Sequence, residues 1–440
     1  MTPGCAVPNA AQICYNRCMN RVLALLLLVA LLTMLAWAEP LVPTGSRLRE
    51  IVAENYPNGN VLIGATTGSW SFGTNQAVVM DREFSYVTPE NDFKQSVVHP
   101  TPSEWNWSRA DAWVRHIRDN RQVLRIHGPI SPQCSRWARN DGRTPAELEQ
   151  NMREFFSALC RRYNGVPGFK YIDVVNETVV NGRWHTDKRG ESGWECPWYK
   201  IGVESNPMRT PLYIHYAFQI AAAHAPDFRL VLNHHESPAQ QASWDLIKNT
   251  VYGIMGRRLP IHGIGWQAHV DAGWDTTANL AALSELITWA HTHKLDFHIT
   301  EQSVYIPDTS QRSLEAQART YRNIVEVLLQ HRHDGVVTWN TWHISDAHGW
   351  KTDEFPSLFD TEYRPKPPYY ALQALLDAHS DLRGDFDLNR HVHWPDLHYL
   401  TSWWLRAAPI YEPIDLDATG RIDAADYALF SQHWLAKQYR

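Results

Sequence analysis

What most limits this chain is a rhythm in which eight short runs rich in Val and Ile alternate with longer segments whose apolar residues recur every three or four positions. The runs read VLIGATT (61–67), FSYVTPE (84–90), VLRIHG (123–128), YIDVVNE (171–177), RLVLNH (229–234), IHGIGWQAH (261–269), DFHITE (296–301) and GVVTWNTW (335–342). Runs of this length and composition predict buried strands. Between them lie stretches such as AELEQNMREFFSALCRRY and LEAQARTYRNIVEVLLQH, whose period predicts helices with one apolar face. Eight successive βα units predict a closed (β/α)8 TIM barrel, which carries its reactive groups at the C-terminal ends of the strands.

Seven of the eight predicted strand ends bear polar or aromatic groups: Glu90 and Asn91, His127, Asn176 and Glu177, Asn233, Gln267 and His269, Glu301, and Trp342. Polar residues placed only for solvation would scatter over both ends of the strands. Glu177 and Glu301 terminate strands four and seven, nearly opposite each other across the mouth. Two carboxylates facing across a cleft are what glycoside hydrolysis needs, one to protonate the leaving oxygen and one to attack or to activate water. Composition agrees. The 20 Trp, 18 Tyr and 13 Phe supply flat apolar faces for sugar rings as well as for a core. A net charge of -6 gives no basic footprint and argues against a nucleic-acid partner.

At these residues the chain resembles glycoside hydrolase family 10, the endo-1,4-β-xylanases, which are TIM barrels acting with retention of configuration. TPENDFK, VVNE, GIGWQAH and ITE match the family's motifs at strands two, four, six and seven. WHISDAHGW followed by LFDTEYRPKPPYYAL matches its last strand and closing helix. The resemblance spans residues 47 to 378. It implies Glu177 as general acid/base and Glu301 as nucleophile, with no catalytic cofactor. It further implies that Asn176 bonds the sugar 2-hydroxyl, that Glu90, Asn91, Lys94 and His127 hold the glycone sugars, and that Gln267 and His269 flank the nucleophile. Trp342 and Trp350 would wall the same subsites. Burial beside apolar rings is expected to raise the pKa of Glu177, and donors such as Gln267 and His269 to keep Glu301 ionised.

Two departures stand out. Where the family continues its strand-three motif into a Trp-His pair, this chain reads HGPISPQCSRW, with Ser131 and Pro132 near those positions. Where the family commonly has an acid two residues after the nucleophile, this chain has Ser303, so His269 loses a charged partner. The long loop after strand four carries Trp184, Trp194, Trp198 and Tyr199, expected to shape the leaving-group subsites.

The chain's ends carry further signals. From Met19 it runs MNRVLALLLLVALLTMLAWAEP, with an apolar run from Val22 to Leu35 and the small-x-small triplet Ala36-Trp37-Ala38. This predicts a secretory signal peptide cleaved after Ala38, hence a secreted or cell-surface protein. Cleavage would leave Cys134, Cys160 and Cys196, a set without metal-ligand spacing.

Beyond Leu382 a 30-residue repeat aligns Asp385 with Asp415, Asp387 with Asp417, Asp396 with Asp426, and Trp404-Leu405 with Trp434-Leu435. Oxygen ligands at loop positions 1, 3, 5, 9 and 12 are a calcium-loop arrangement. In the second copy these are Asp415, Asp417, Thr419, Asp423 and Asp426, with the Arg421 carbonyl at position 7. The first copy offers Asp385, Asp387, Asn389 and Asp396, but has His393 at position 9 and Arg390 where the turn Gly belongs. Val392 and Ile422 are expected to pair the two loops, and Trp404, Leu405, Trp434 and Leu435 to form a small core. Asp in place of Glu at position 12, with one helix after each loop, resembles the dockerin type I module. That resemblance implies Ca2+ and a cohesin-like protein or cell-surface scaffold as partner.

The reading is an upstream extension and signal peptide over 1–38, a catalytic barrel over 39–380 and a dockerin-like module over 381–440. The function read is that of a monomeric, retaining endo-1,4-β-xylanase. Its rivals are the same barrel acting on another β-glycan and a catalytically silent carbohydrate-binding barrel; the paired glutamates argue against the latter.

Overall fold

The computed structural model describes residues 40–188, 194–408, 413–417 and 419–438. The leader expected over 1–38 and the Cys residues within it lie outside them. Eight strands form the barrel: β1 (Val61–Thr67), β2 (Tyr86–Pro89), β3 (Val123–Ile126), β4 (Phe169–Asn176), β5 (Arg229–His234), β6 (Gly263–Trp266), β7 (Asp296–Tyr305) and β8 (Val337–Thr341). Each pairs in parallel with the next, and β8 pairs with β1 from Val61–Val337 to Ala65–Thr341, which closes the sheet. All eight predicted runs are strands of this barrel.

Two of the helices outside show why the intervening segments fold as they do. Pro145–Tyr163 begins with a Thr144/Glu147 capping box and Pro at its first turn, then buries Leu148, Met152, Phe155, Phe156 and Leu159 at helical spacing. Gln311–Gln330 buries Tyr321, Ile324, Val325 and Leu328 in the same way.

Side chains fill the barrel's interior in layers. Tyr86, Val123, Tyr171 and Val231 form an apolar cluster. Arg125 and Asp173 form a fully buried ion pair at 2.7 Å. Such a pair gains little net stability after desolvation, but here it has a second use. Arg125 also donates to Thr300 O (2.7 Å), and Asp173 Oδ2 lies 3.0 Å from His127 Nδ1, so the pair ties three strands together just below the mouth.

One predicted strand differs. The run 261–269 is interrupted: β6 stops at Trp266, Ala268 takes a left-handed φ of 60°, and a separate strand, His269–Asp271, pairs with the extended end of β7 at Ser303–Tyr305. A non-glycine residue in that region is uncommon and strained.

After the barrel, the two repeats each supply a loop and a helix, Trp394–Ser402 and Ala424–Ser431. Their core differs from the sequence expectation. Val392, Leu400, Ala408, Ile414, Ile422 and Phe430 are buried, with Trp403 and Trp434 packed against them. Trp404 is 39% exposed, Leu405 58% and Leu435 59%. Leu405 (φ 61°) and Leu435 (φ 64°) are left-handed residues that turn the chain after each helix, which swings their side chains outward. Among the described residues the loops do not pair with each other as expected. Ile422 exchanges hydrogen bonds with Leu405 and Arg406, while Val392 does so with Leu435 and Ala436, so each loop pairs with the segment following the other repeat's helix.

The chain leading into this tail is fastened to the barrel floor. Asp381 accepts from Arg332 Nε (2.8 Å) and Asn60 Nδ2 (3.0 Å), and Asn58 Nδ2 donates to Leu382 O (2.9 Å).

Candidate active site

Strand β4 ends at Asn176 because Glu177 leaves the extended conformation with φ 56°. Its N–H donates to Asn233 O at the end of β5 (3.1 Å), which fixes the turn. The carboxylate, partly exposed to the mouth, accepts from Gln267 Nε2 (2.9 Å) and Asn176 Nδ2 (3.1 Å). Burial is the largest influence on its pKa and pushes it up. The nearby His235, the Gln267 hydrogen bond and Lys94 together outweigh burial, so the carboxyl lies below its ordinary value; Glu301 acts in the opposite sense. The expected upward shift is therefore not present in the free protein.

Glu301, 3% exposed, sits within β7. Its Oε1 accepts from Asn233 Nδ2 (2.8 Å) and lies 3.6 Å from His127 Nδ1; its Oε2 lies 3.4 Å from His269 Nε2. Burial raises its pKa, but His127, His269 and Arg125 outweigh burial and bring it down to about 2. It is therefore ionised at neutral pH. His269 flanks Glu301 as the resemblance implies, whereas Gln267 bonds the other glutamate. The left-handed turn at Ala268 sends the two neighbours to different partners. At its other nitrogen His269 meets Ser303 Oγ at 3.2 Å, a neutral group.

Asn233 is the hub. It donates to Asn176 Oδ1 (2.9 Å) as well as to Glu301, and accepts from Thr300 Oγ1 (2.7 Å). Gly265 in β6 makes room for it, since a Cβ there would collide with Asn233 Oδ1 and lie 2.7 Å from Thr300 Cγ2.

Both glutamates open into a cleft of about 840 Å³. Glu90, Lys94, His127, Gln267, His269, Trp342 and Trp350 also line it, while Asn176 lies beneath, held by Asn233 and Gln267, and Asn91 stands outside the lining. Burial lowers the pKa of Lys94 while Glu301, Glu177 and Glu90 oppose that shift, and Lys94 Nζ donates to Gln133, which occupies the cleft wall beside Ser131. Of the loop aromatics after β4, Trp194 lines the cleft; Trp198 is fully buried and donates to Ser131 O (3.1 Å), and Trp184 donates to Met208 O (2.7 Å). Among the further lining residues that escape the strand-end pattern are His235, Glu236, Trp274 and Tyr305. The first three lie past their strand's end, and Tyr305 belongs to the extension of β7 that the sequence pattern stops short of.

In the tail, one oxygen from each of Asp415, Asp417 and Asp426 lies within 4.8 Å of the others, as do ligand atoms of Asp387, His393 and Asp396. Thr419 donates to Asp417 (2.7 Å), the Arg421 carbonyl accepts from Thr419 at 3.4 Å, and Asp423 caps the following helix through Ala425 N (2.9 Å). Asp385 accepts from Asn389 N and Arg390 N. Burial, with Asp396 and Asp387 beside it, pushes Asp385 up to about 6. In the first loop His393 Nδ1 lies 3.0 Å from the Asp396 carboxylate.

The comparisons with known proteins bear on the barrel. The profile of glycosyl hydrolase family 10 matches residues 52–375. Endo-1,4-beta-xylanase A of Caldicellulosiruptor saccharolyticus is 27% identical over 346 residues, covering 73% of this chain and 94% of that enzyme. Endo-1,4-beta-xylanase B of Thermotoga neapolitana is 26% identical over 335 residues, covering 72% and 89%. The crystal structure of xylanase 10B from Thermotoga maritima superposes with a TM-score of 0.63 at 27% identity, over 76% of this chain and 98% of that one. Xylanase 10B from Thermotoga petrophila, solved with xylobiose, gives 0.64 at 25% identity over 77% and 99%. A closed barrel whose strands four and seven deliver two glutamates to an aromatic cleft, matched by that profile over most of its length, places this chain in glycosyl hydrolase family 10.

Proposed function

We infer that this protein is an endo-1,4-β-xylanase that hydrolyses xylan with retention, using Glu301 as nucleophile and Glu177 as general acid/base. The observation that carries the reading is the pair itself: one buried carboxylate held ionised by His127, His269 and Asn233, and a second, partly exposed one beside it in an aromatic-lined cleft. The charge of Glu301 raises the pKa of Glu177. While Glu301 is free, that influence favours the protonated acid needed to expel the leaving group. Once Glu301 is bonded to the sugar its charge is gone, Glu177 loses its proton more readily, and it becomes the base that activates water. Asn176, pinned by Asn233 and Gln267 beneath the cleft, is read as the group that meets a sugar hydroxyl at the reacting position. Glu90, Lys94 and His127 hold the glycone sugars, and Trp342 and Trp350 stack on them; Asn91, outside the cleft lining, is left without that role. Reducing-sugar release from xylan, set beside mixed-linkage glucan and mannan, tests the reading. Xylan should be cleaved fastest; release from a glucan alone would assign the barrel to another β-glycan, and no release at all would make it a binding barrel.

The tail is read as a dockerin-like module over 381–440 that follows the 39–380 catalytic region and binds Ca2+ for structure. Burial raises Asp415 in the second loop and Asp385 in the first, and in each loop neighbouring aspartates push the same way, Asp426 and Asp417 beside Asp415, Asp396 and Asp387 beside Asp385; carboxylates crowded like this are what a cation relieves. The second loop offers an all-oxygen set, whereas His393 already engages Asp396 in the first. Calorimetric titration of the full chain should therefore show one tight Ca2+ site lost in Asp415→Ala, with Asp385→Ala changing it little. Through this tail the protein would attach to a cohesin-like partner or cell-surface scaffold, in keeping with secretion directed by the segment from Met19.

A further inference from the structure

Four tryptophans more than 40% exposed belong to loops that follow barrel strands: Trp70 after β1, Trp105 after β2, Trp194 after β4 and Trp350 after β8. Trp194 and Trp350 line the cleft. Trp105 stacks on His99 with centroids 3.8 Å apart and lies parallel to Trp107 at 5.4 Å, so its faces are taken. Trp70 is different. It stands outside the cleft lining, is 46% exposed, and among the described residues no ring stacks on it; His348 meets it edge to face at 4.8 Å.

The indole is nonetheless held in place. Its pyrrole edge lies against Gly68, where a Cβ would come within 2.5 Å of Cδ1 and 2.6 Å of Nε1. The turn carrying it is anchored by Ser69 N donating to Asp92 Oδ2 (2.6 Å), a carboxylate further fixed by Trp113 Nε1 and Arg109 Nε, each at 2.8 Å. Asp92 sits between Glu90 and Lys94, and His348 sits two residues before Trp350. His348 is itself steadied by Tyr363 OH at 3.1 Å. The loops of β1, β2 and β8 thus converge on Trp70, and the last two also deliver Glu90, Lys94, Trp342 and Trp350 to the cleft.

An open apolar face on a fixed ring binds a flat partner with little ordering cost, and a pyranose presents such a face. We propose that Trp70 is the platform of a distal glycone subsite, which stacks a pyranose of a β-1,4-linked chain beyond the sugars held in the cleft. The proposal rests on the glycanase reading and names a site that lengthens its substrate. A long chain touches the platform, whereas a disaccharide confined to the cleft does not.

The test is calorimetric binding of xylohexaose, cellohexaose and xylobiose in a Glu301→Gln background, where turnover does not interfere. Adding Trp70→Ala should weaken the better-bound hexaose about tenfold (about 1.4 kcal/mol) and leave xylobiose unchanged. Gly68→Ala, which displaces the ring without removing it, should reproduce the loss, and Trp70→Phe should restore part of it. Hexaose affinity unchanged in Trp70→Ala, or weakened equally with xylobiose, would overturn the platform. Failure of the glycanase reading shows separately, as wild-type protein that releases no sugar from any β-glycan while the binding comparison still decides the fate of Trp70.

Discussion

At the scale of single residues, the two glutamates are distinguished by what donates to them. Asn233 donates to Glu301, whose charge is further favoured by the nearby His127 and His269; Gln267 and Asn176 donate to Glu177, whose charge is favoured by the nearby His235 and Lys94. A hydrogen bond to a carboxylate favours its charged form. Gln267→Leu removes one such bond, so the pKa of Glu177 should rise and the acid should keep its proton to higher pH. The alkaline limb of kcat/KM should then move up by about one unit, a shift worth about 1.4 kcal/mol. A pH–rate profile checks this, and a limb that stays put would mean that Gln267 does not govern the acid. The identities of both glutamates are legible in the sequence because strand ends can be counted. The partner of Gln267 is not, because it depends on the left-handed φ of Ala268, and nothing about an alanine announces that conformation.

At the scale of elements, the eight strands are legible because parallel barrel strands are buried on both faces and read as continuous apolar runs. What escapes a one-dimensional reading is how strands make room for one another. Gly265 in β6 is the clearest case: its missing side chain is the space that Asn233 of β5 occupies while holding Glu301 of β7. Gly265→Ala should push Asn233 off Glu301. A displacement of this kind costs on the order of 100-fold in kcat, and the overpacking about 1–3 kcal/mol of stability. Steady-state kinetics beside thermal melting separates the two. A lowered melting temperature with unchanged kcat would show that Asn233 fills space and does not position the nucleophile. In the tail the repeat is plain from its 30-residue offset, yet its packing is not. The alignment picks out Leu405 and Leu435, and those residues take left-handed turns that expose them, leaving the core to Val392, Leu400, Ile422 and Phe430.

At the scale of the whole molecule, the barrel and the tail meet at Asp381, which the 39–380 and 381–440 division assigns to the tail but whose carboxylate serves Arg332 and Asn60 of the barrel floor. A chain ending at Ala378 leaves a buried guanidinium without its partner, a loss of about 3–5 kcal/mol. A chain ending at Gly384 keeps the pair. The chain ending at Gly384 should therefore melt at a clearly higher temperature than the chain ending at Ala378, with the same kcat/KM on xylan well below either transition. Equal melting temperatures would detach Asp381 from the barrel's stability. Barrel and cleft together support the proposed chemistry, in which Glu301 attacks the sugar and Glu177 serves as acid and then as base. Retention requires carboxyls about 5–5.5 Å apart, whereas inversion needs about 6.5–9.5 Å to admit a water. The most direct measurement is proton NMR of the anomeric signals during early hydrolysis of a xylo-oligosaccharide, with Glu301→Ala plus azide as its companion. With Glu301 as nucleophile, the β-anomer appears first and drifts to the mixture, and the variant is silent until azide restores turnover with an α-glycosyl azide product. An α-anomer formed first by the wild type, or a Glu301→Ala protein active without azide, would contradict it.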